Sequence, residues 1–487
     1  MPAEYFEARE RALLGGRFDA LYAAPGAAAA RGVTVSALRC TPAEFAAKAD
    51  FACTPSPFCA QSFLVAEPEF RPGRHPYHAA GVFYSQEPSA ASAAPLLGVR
   101  PGMRVLDLCA APGGKSSQLA AALAGRGVLV ANEYVQARAE VLKSNLERMG
   151  AANAVILCEE PARIAAALPE WFDRVLVDAP CSGEGMFRKE PAALAQHCAA
   201  LVEQCAALGS TILDAAAAAL APGGVLVYST CTFAPQEDEA QIAAFLARHA
   251  EFSLRPALEE SPLSFGSEGE ANRTGGLPCD VSLLRRIWPC QGGEGHFIAR
   301  LQKAGTPRTL PAADALLPEE QLWLTAAQTA AGKNSARGGR GGRGAGDSTP
   351  ASQRAVLSAW HAFAAEYFPA LAAHPAAVRG DSVLLTVPFP PAALHILRAG
   401  VFAGSLQKDR FVPEHHLFTA FGAACANREA LTLGDPRTAA YLHGEEIAAD
   451  TAHSGWCCVT VDGWPLGGGK VSGQRVKNHL PRALRFL

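Results

Sequence analysis

The chain has 487 residues, 49% of them hydrophobic and 18% charged, with a formal net charge of −3. That length is too great for one core and predicts roughly three domains; the near-neutral charge excludes a molecule drawn as a whole to nucleic acid, leaving such contacts to local basic patches. No stretch of about 18 uninterrupted apolar residues exists to cross a membrane, the segment Met1 to Glu7 has no basic or apolar leader region, and the fourteen cysteines include no Cys-x2-Cys pair, so a cytoplasmic protein with reduced thiols and no metal site is expected.

Residues 1–88 mix helix and strand patterns and read as an N-terminal α/β domain. Glu4 to Leu14 has the spacing of an amphipathic helix, and Val33 to Leu38 that of a strand. Loop signals follow at Thr54-Pro55-Ser56-Pro57 and at Arg71 to Pro76. His75 and His78 lack partners for metal or base chemistry and are expected to be structural residues at a domain junction. From residue 89 to 303 strands alternate with Ala-rich helices. The predicted strands are Arg104–Leu108, Val128–Ala131, Ala154–Leu157, Arg174–Val177, Val225–Tyr228 and His296–Leu301. This order predicts a mostly parallel sheet with helices on both faces. Residues 304–375 read as a helical connector, interrupted over 330–353 by a Gly/Arg-rich flexible stretch. Residues 376–487 carry short strands and turns and read as a separate β-rich domain, in which the vicinal Cys457-Cys458 has no assigned role.

The segment Arg104 to Lys115 reads as a strand, a small-residue loop and the start of a helix. Gly113 and Gly114 let backbone approach a ligand closely, the helix start offers unpaired amides, and Asp107 at the strand end can bind a ligand's amine or organise the loop. The next strand ends at Glu133, an acid placed to hold ribose hydroxyls, and the third at Cys158-Glu159-Glu160, which places Glu160 beside an adenine. The loop is neither a Gly-x-Gly-x-x-Gly nor a P-loop pattern. Glu133 and Glu160 also read as solvated strand-end acids; three successive acids favour an adenosyl ligand.

Two cysteines stand just beyond later strands, Cys181 in Asp178-Ala179-Pro180-Cys181 and Cys231 in Ser229-Thr230-Cys231-Thr232. Strand ends in such sheets carry the chemistry, and a thiolate is a strong nucleophile. Two thiols beside an acid suggest a reaction with separate attack and release.

At these residues the chain resembles the Sun-type family of S-adenosylmethionine-dependent RNA (cytosine-5) methyltransferases. The matching segments are His75 to Gly81, Tyr84 to Ser89, Leu106 to Lys115, Asp178 to Lys189, Ala221 to Thr232, Trp288-Pro289 and Gly293 to Phe297. Tyr441 to Glu445 and Pro465 to Val476 resemble the PUA-like RNA-binding domain of the bacterial branch that methylates small-subunit (16S) ribosomal RNA, the methyltransferase F type. Near Gln196-His197-Cys198 the chain departs from the family's usual tryptophan-serine pair, which puts local helix packing in question. Glu160 stands where relatives often carry Asp.

The resemblance implies a Rossmann-like methyltransferase core with a seven-stranded, mostly parallel sheet, an N-terminal α/β domain and a C-terminal PUA-like domain. It implies methyl transfer to cytosine C5 of RNA through a cysteine–C6 adduct, with Cys231 as nucleophile, Cys181 assisting product release and Asp178 at the target base. Cofactor contacts then fall to Asp107, Cys109, Ala110, Ala111, Pro112, Gly113, Gly114, Lys115, Glu133, Glu160 and Asp178. The expected partner is 16S rRNA or the small subunit, contacted by a monomer. From the residues themselves, Arg188 and Lys189 read either as phosphate contacts or as an ordinary exposed helix start, and the acid-free basic tail Lys470, Arg475, Lys477, Arg482 and Arg485 either as a phosphate-gripping patch or as a solvated face. A tRNA (cytosine-5) methyltransferase and a non-catalytic rRNA-binding assembly factor remain alternatives. An amino-group methyltransferase is disfavoured, because Asp-Ala-Pro-Cys stands where those enzymes carry Asn/Asp-Pro-Pro-Tyr/Phe.

Overall fold

Alternate residues of the central strands are apolar on both sides: Leu106, Val130, Val175 and Leu226 enter one buried cluster, and Val105, Leu129, Leu176 and Val227 another. A sheet buried on both faces needs such continuous apolar runs. The structure, a computed structural model, describes residues 2–26, 28–310, 350–390, 392–450 and 452–486. Most of the expected Gly/Arg-rich stretch lies outside the described residues.

The N-terminal sheet contains β1 (Gly32–Val35), β2 (Cys53–Pro55), β3 (Ser62–Val65) and β4 (Phe83–Ser85), all antiparallel, in the order β2-β3-β1-β4. The central sheet contains β5 (Arg104–Asp107), β6 (Val128–Asn132), β7 (Ala154–Leu157), β8 (Phe172–Asp178), β9 (Leu220–Thr230), β10 (Phe252–Arg255), β11 (Arg285–Ile287) and β12 (His296–Lys303). β7-β6-β5-β8-β9 are parallel, and β12, β10 and β11 extend them antiparallel. The chain runs outward from β5 through β6 to β7 and returns to β8 on β5's other side. That reversal opens a crevice at the carboxyl ends of β5 and β8, where such folds bind ligands.

The sheet has nine strands where seven were expected. Short β11 is one addition. The other comes from the C-terminal half: after β13 (Ala376–Arg379) and β14 (Ser382–Leu385), β15 (Ile396–Ala399) pairs antiparallel with β7. It covers an edge whose backbone groups would otherwise stay unpaired, and Arg398 seals the junction on Glu147 at 2.7 Å.

The residues expected to form one β-rich domain therefore carry two further sheets. β13, β14, β16 (Val401–Gln407) and β17 (Arg410–Pro413) pack against the helix Pro350–Tyr367 through Val356, Trp360 and Phe363. β18 (Arg428–Leu431), β19 (Ile447–Ala448), β20 (Gly455–Val461), β21 (Trp464–Ser472) and β22 (Arg475–Asn478) form the last sheet. This sheet is not separate from the N-terminal one. Val33, Phe45 and Tyr77 share a core with Cys457, Val459 and Trp464. Tyr77 donates to Asp462 at 2.7 Å, and the Trp464 indole donates to Arg39 O at 3.1 Å. His75 accepts from Tyr77 N and meets Asp50 at 2.8 Å, a structural role beside this junction.

The helix Pro2–Leu14 packs away from the N-terminal sheet, on the half that carries the central sheet. Phe6, Leu14, Phe18 and Tyr22 surround Phe233 and Trp288. It thereby reaches the loops that carry the two cysteines.

Candidate active site

Asp107 closes β5 with its side chain fully buried. Its Oδ2 accepts from Ser116 at 2.6 Å, while its Oδ1 has no hydrogen-bond partner among the described residues. Burial, partly offset by the Ser116 hydroxyl, raises its carboxyl to about 7. The loop Leu108 to Gly113 then turns back toward β6, with Ala110 N donating to Asn132 O at 2.8 Å. Gly113 has a φ of +113°, which a side chain would resist. A Cβ at Gly114 would stand 3.2 Å from Tyr84 and 3.3 Å from Gln86, so β4 packs directly on the loop.

The expected strand-end acids line up beside it. Glu133 is buried at the end of β6, accepting from Val135 N at 2.9 Å and meeting Arg138 at 3.3 Å. After β7, Glu160 is exposed at the start of the helix Pro161–Ala167. Its neighbour Glu159 is buried and occupied by Arg163 and His395 N. The structure therefore leaves Glu160, and not Glu159, free to face a ligand.

At the end of β8, Asp178 pairs with Lys115 Nζ at 2.7 Å and accepts from Ser229 Oγ at 2.8 Å. Burial alone would push Asp178 up; the Lys115 ammonium outweighs it and holds the carboxyl below its ordinary value. Asp178 reciprocally raises Lys115 despite burial. A negative and a positive group thus stand together at the crevice in fixed orientation. His296 Nε2 lies 4.0 Å from Asp178, and neither ring nitrogen has a hydrogen-bond partner among the described residues.

Cys181 and Cys231 come together from two loops, with Sγ atoms 3.4 Å apart. The contact with Cys231, and burial after it, hold the Cys181 thiol well above its ordinary value. Gly185 N donates to Cys231 O at 2.8 Å, and a Cβ on Gly185 would stand 2.9 Å from that oxygen. Glycine is needed here for close approach.

Glu184 binds this pair of loops to the N-terminal helix. It accepts two bonds from Arg9 at 2.8 Å each, one from Phe233 N at 3.0 Å, and meets His197 Nε2 at 2.7 Å. His197, at the departure from the family's usual pair, is fully buried between Phe6 and Phe187. Its ring fills an aromatic cluster, so the helix packing is kept.

All the expected site residues gather at the carboxyl ends of β5 to β9 or on the loops that follow. Arg188 is a correction. Its guanidinium is consumed by Glu294 and by the carbonyls of Gly26 and Ala28, so it holds the fold and is not offered to phosphate. Ser229, Glu184 and Arg9 were not read from the sequence. Ser229 and Glu184 lie inside the matching segments and could have been found there; Arg9 carries no local signal.

The unpaired Asp107 Oδ1 suits a cationic amine, buried Glu133 suits ribose hydroxyls, and the glycine loop leaves no side chain in the way. These residues fit S-adenosylmethionine. Among the described residues no helix is long and apolar enough to cross a membrane.

Residues 94–302 match the family described as 16S rRNA methyltransferase RsmB/F. Residues 1–88 match the N-terminal domain of 16S rRNA methyltransferase RsmF, and 428–486 the methyltransferase RsmF PUA domain. The ribosomal RNA small subunit methyltransferase F of Klebsiella pneumoniae is 30% identical, over 99% of this chain and 96% of its own. That of Serratia proteamaculans is 31% identical, over 89% and 85%. Among solved structures, a methyltransferase homolog protein from Pyrococcus horikoshii is 28% identical and covers 61% of this chain and 94% of its own, with a TM-score of 0.54. NSun6 from Pyrococcus horikoshii, 18% identical with a TM-score of 0.52, covers 62% and 98% and shares the fold.

Proposed function

The chain belongs to the RsmB/F family of 16S rRNA methyltransferases, and from that premise we propose that it transfers a methyl group from S-adenosylmethionine to C5 of a cytosine in 16S rRNA, with Cys231 as nucleophile. The observation that carries this reading is the thiol pair, 3.4 Å apart, beside the Asp178–Lys115 pair.

Cytosine C5 is a poor nucleophile until C6 is attacked. Cys231 Sγ bonds to C6, and the electron pair of the C5–C6 double bond moves toward the N3/N4 edge. Asp178, held ionised, receives the amino edge, and Lys115 offsets the charge that develops there. When bound, the cofactor supplies an electrophilic methyl on a positively charged sulfur. Asp107, the Cys109 to Lys115 loop, Glu133 and Glu160 would hold it beside C5.

Release requires loss of the C5 proton and of the C6–sulfur bond. Cys181 Sγ, at hydrogen-bond distance from Cys231 Sγ, gives its proton to the departing sulfur and takes the C5 proton in exchange. The pair ends with one proton more than it began with, and that proton passes to solvent before the next attack. The target base must leave its stack to reach this crevice.

The last sheet supports the rRNA contact. Lys470 and Lys477 are exposed and directly opposite on β21 and β22, with Arg475 close by. Like charges in cross-strand register disfavour each other, and a phosphate between them removes that cost. We further propose a monomer working in the cytoplasm, where the small subunit is made.

Tritiated methyl transfer to unmodified small-subunit rRNA, followed by bisulfite sequencing, tests the activity. Label at a cytosine is expected. Transfer to tRNA alone, or no transfer, would overturn it.

A further inference from the structure

The two cysteine loops are closed from beneath by one carboxylate that the reaction above does not use. Ser182 follows Cys181, and Thr232 follows Cys231. Their hydroxyl oxygens are 2.7 Å apart. Ser182 Oγ donates to Glu237 Oε1 at 2.5 Å, and Ser182 N donates to Glu237 Oε2 at 2.8 Å. Ser182, Thr232 and Glu237 are all buried. The backbone of Glu237 is itself pinned, because Tyr228 on β9 donates to its carbonyl at 2.7 Å. This carboxylate thus ties the two loops together through Ser182 and Thr232, beside the links from Gly185 N to Cys231 O and from Phe233 N to Glu184.

The charges around the pair are unequal. Lys115 lies on the Cys231 side, where that sulfur adds to the stabilisation of its ammonium. Glu237 lies on the Cys181 side and helps raise that thiol. The other charged or titratable groups facing Glu237 are Glu184 on the Cys181 loop, Arg9 on the N-terminal helix, the adjacent Asp238, Tyr228 and Cys205. Arg9 is already engaged by Glu184 and Glu10. The cation-to-anion direction thus runs from Cys231 to Cys181.

We propose that Glu237 is a positioning residue of the thiol pair: through Ser182 and Thr232 it fixes the two loops, and its charge keeps the pair's proton on Cys181, leaving Cys231 as the thiolate that attacks. This rests on the assignment of Cys231 as nucleophile. In the form of the pair that attacks, the one proton sits on Cys181, and the Cys231 Sγ–C6 bond forms without moving it. Burial raises the Glu237 carboxyl to about 7, so the bias fades as pH falls through that value.

The test uses the full chain and reads two quantities. Iodoacetamide labelling against pH, with the two cysteine peptides separated by mass spectrometry, reports which thiol ionises first. RNA carrying 5-fluorocytidine in place of cytidine, with S-adenosylmethionine, reports attack and methyl transfer without release, because the C5 fluorine cannot leave as a proton does. Wild type should label Cys231 at lower pH than Cys181. Glu237→Gln should bring the Cys181 midpoint down by about one pH unit and slow trapping roughly tenfold, with cofactor affinity unchanged. Glu237→Asp should restore the labelling preference. Ser182→Ala, which keeps the charge and breaks the chain, should keep the preference and still slow trapping.

If Glu237→Gln labels and traps as wild type does, the proposal fails. If Ser182→Ala erases the preference as fully as Glu237→Gln, charge is not the cause. Should Glu237→Gln not fold, unchanged trapping by Ser182→Ala overturns the positioning role. Trapping by Cys231→Ala would instead overturn the nucleophile assignment and leave the role of Glu237 without a subject.

Discussion

Replacing Arg9 by Ala should loosen the N-terminal helix and impair the cysteine loops together. Arg9 gives Glu184 two bonds of 2.8 Å. Glu184 has no exposed side-chain surface and keeps only His197 and Phe233 N once the guanidinium is gone. Breaking a buried ion pair from one side costs about 3–5 kcal/mol, because the remaining charge is left uncompensated. The two surviving partners place Arg9→Ala at the low end, ~3 kcal/mol. At about 1.4 kcal/mol per tenfold, local opening of residues 4–22 becomes roughly 150-fold more frequent, which hydrogen exchange reads directly. Methyl transfer should fall as well, because Glu184 stands on the Cys181 loop and accepts from Phe233 N on the Cys231 loop. Cofactor affinity should hold, since the glycine loop is built on β5 and β6. Exchange over residues 4–22 within twofold of wild type would refute the claim that this pair anchors the helix.

Gly185→Ala places a methyl 2.9 Å from Cys231 O; methyl transfer should drop by roughly 10- to 100-fold, with cofactor affinity, measured by calorimetry, unchanged. The Glu184 carboxyl is buried, which alone would raise it, yet His197 and Arg9 outweigh that and lower it to about 2. Its folded value therefore lies below its unfolded one, and it contributes about 3 kcal/mol that is complete above about pH 5 and lost as pH falls toward 2. Thermal melts from pH 6 to 3 should flatten in Glu184→Gln. Lys189→Ala should weaken rRNA binding and lower its salt slope by about 1, whereas Arg188→Ala, whose cation is already paired, should lower stability and leave the slope as it was.

The candidate site could be assembled from sequence because its parts are local. Asp107 to Lys115, Asp178 to Lys189 and Ser229 to Thr232 are each a strand end and the loop after it, and a parallel sheet brings such ends to one edge whatever the distance along the chain. What escaped reading is long-range. Arg9 meets Glu184 across 175 positions of sequence, and a surface helix's pattern does not say which carboxylate its arginine will find. β15 is four residues that complete the edge of a sheet built 240 residues earlier, roughly, and its burial pattern is only intermediate along its length. The N- and C-terminal sheets each looked like separate units because each has its own apolar strands. That Tyr77 and Trp464 fill one core follows from shape, which neither segment encodes alone. Arg188 was left between two readings, phosphate contact and an exposed helix start, and is neither: Glu294 and two carbonyls have claimed its guanidinium.

The most direct test of the two-thiol account is a denaturing gel of each cysteine variant after incubation with 16S rRNA and S-adenosylmethionine. Cys181→Ala should hold RNA in a complex that survives denaturation, because attack proceeds and release does not. Cys231→Ala should form no complex and transfer no methyl. Methyl transfer by Cys231→Ala, with normal release of RNA by Cys181→Ala, would contradict the assignment of attack to Cys231 and release to Cys181.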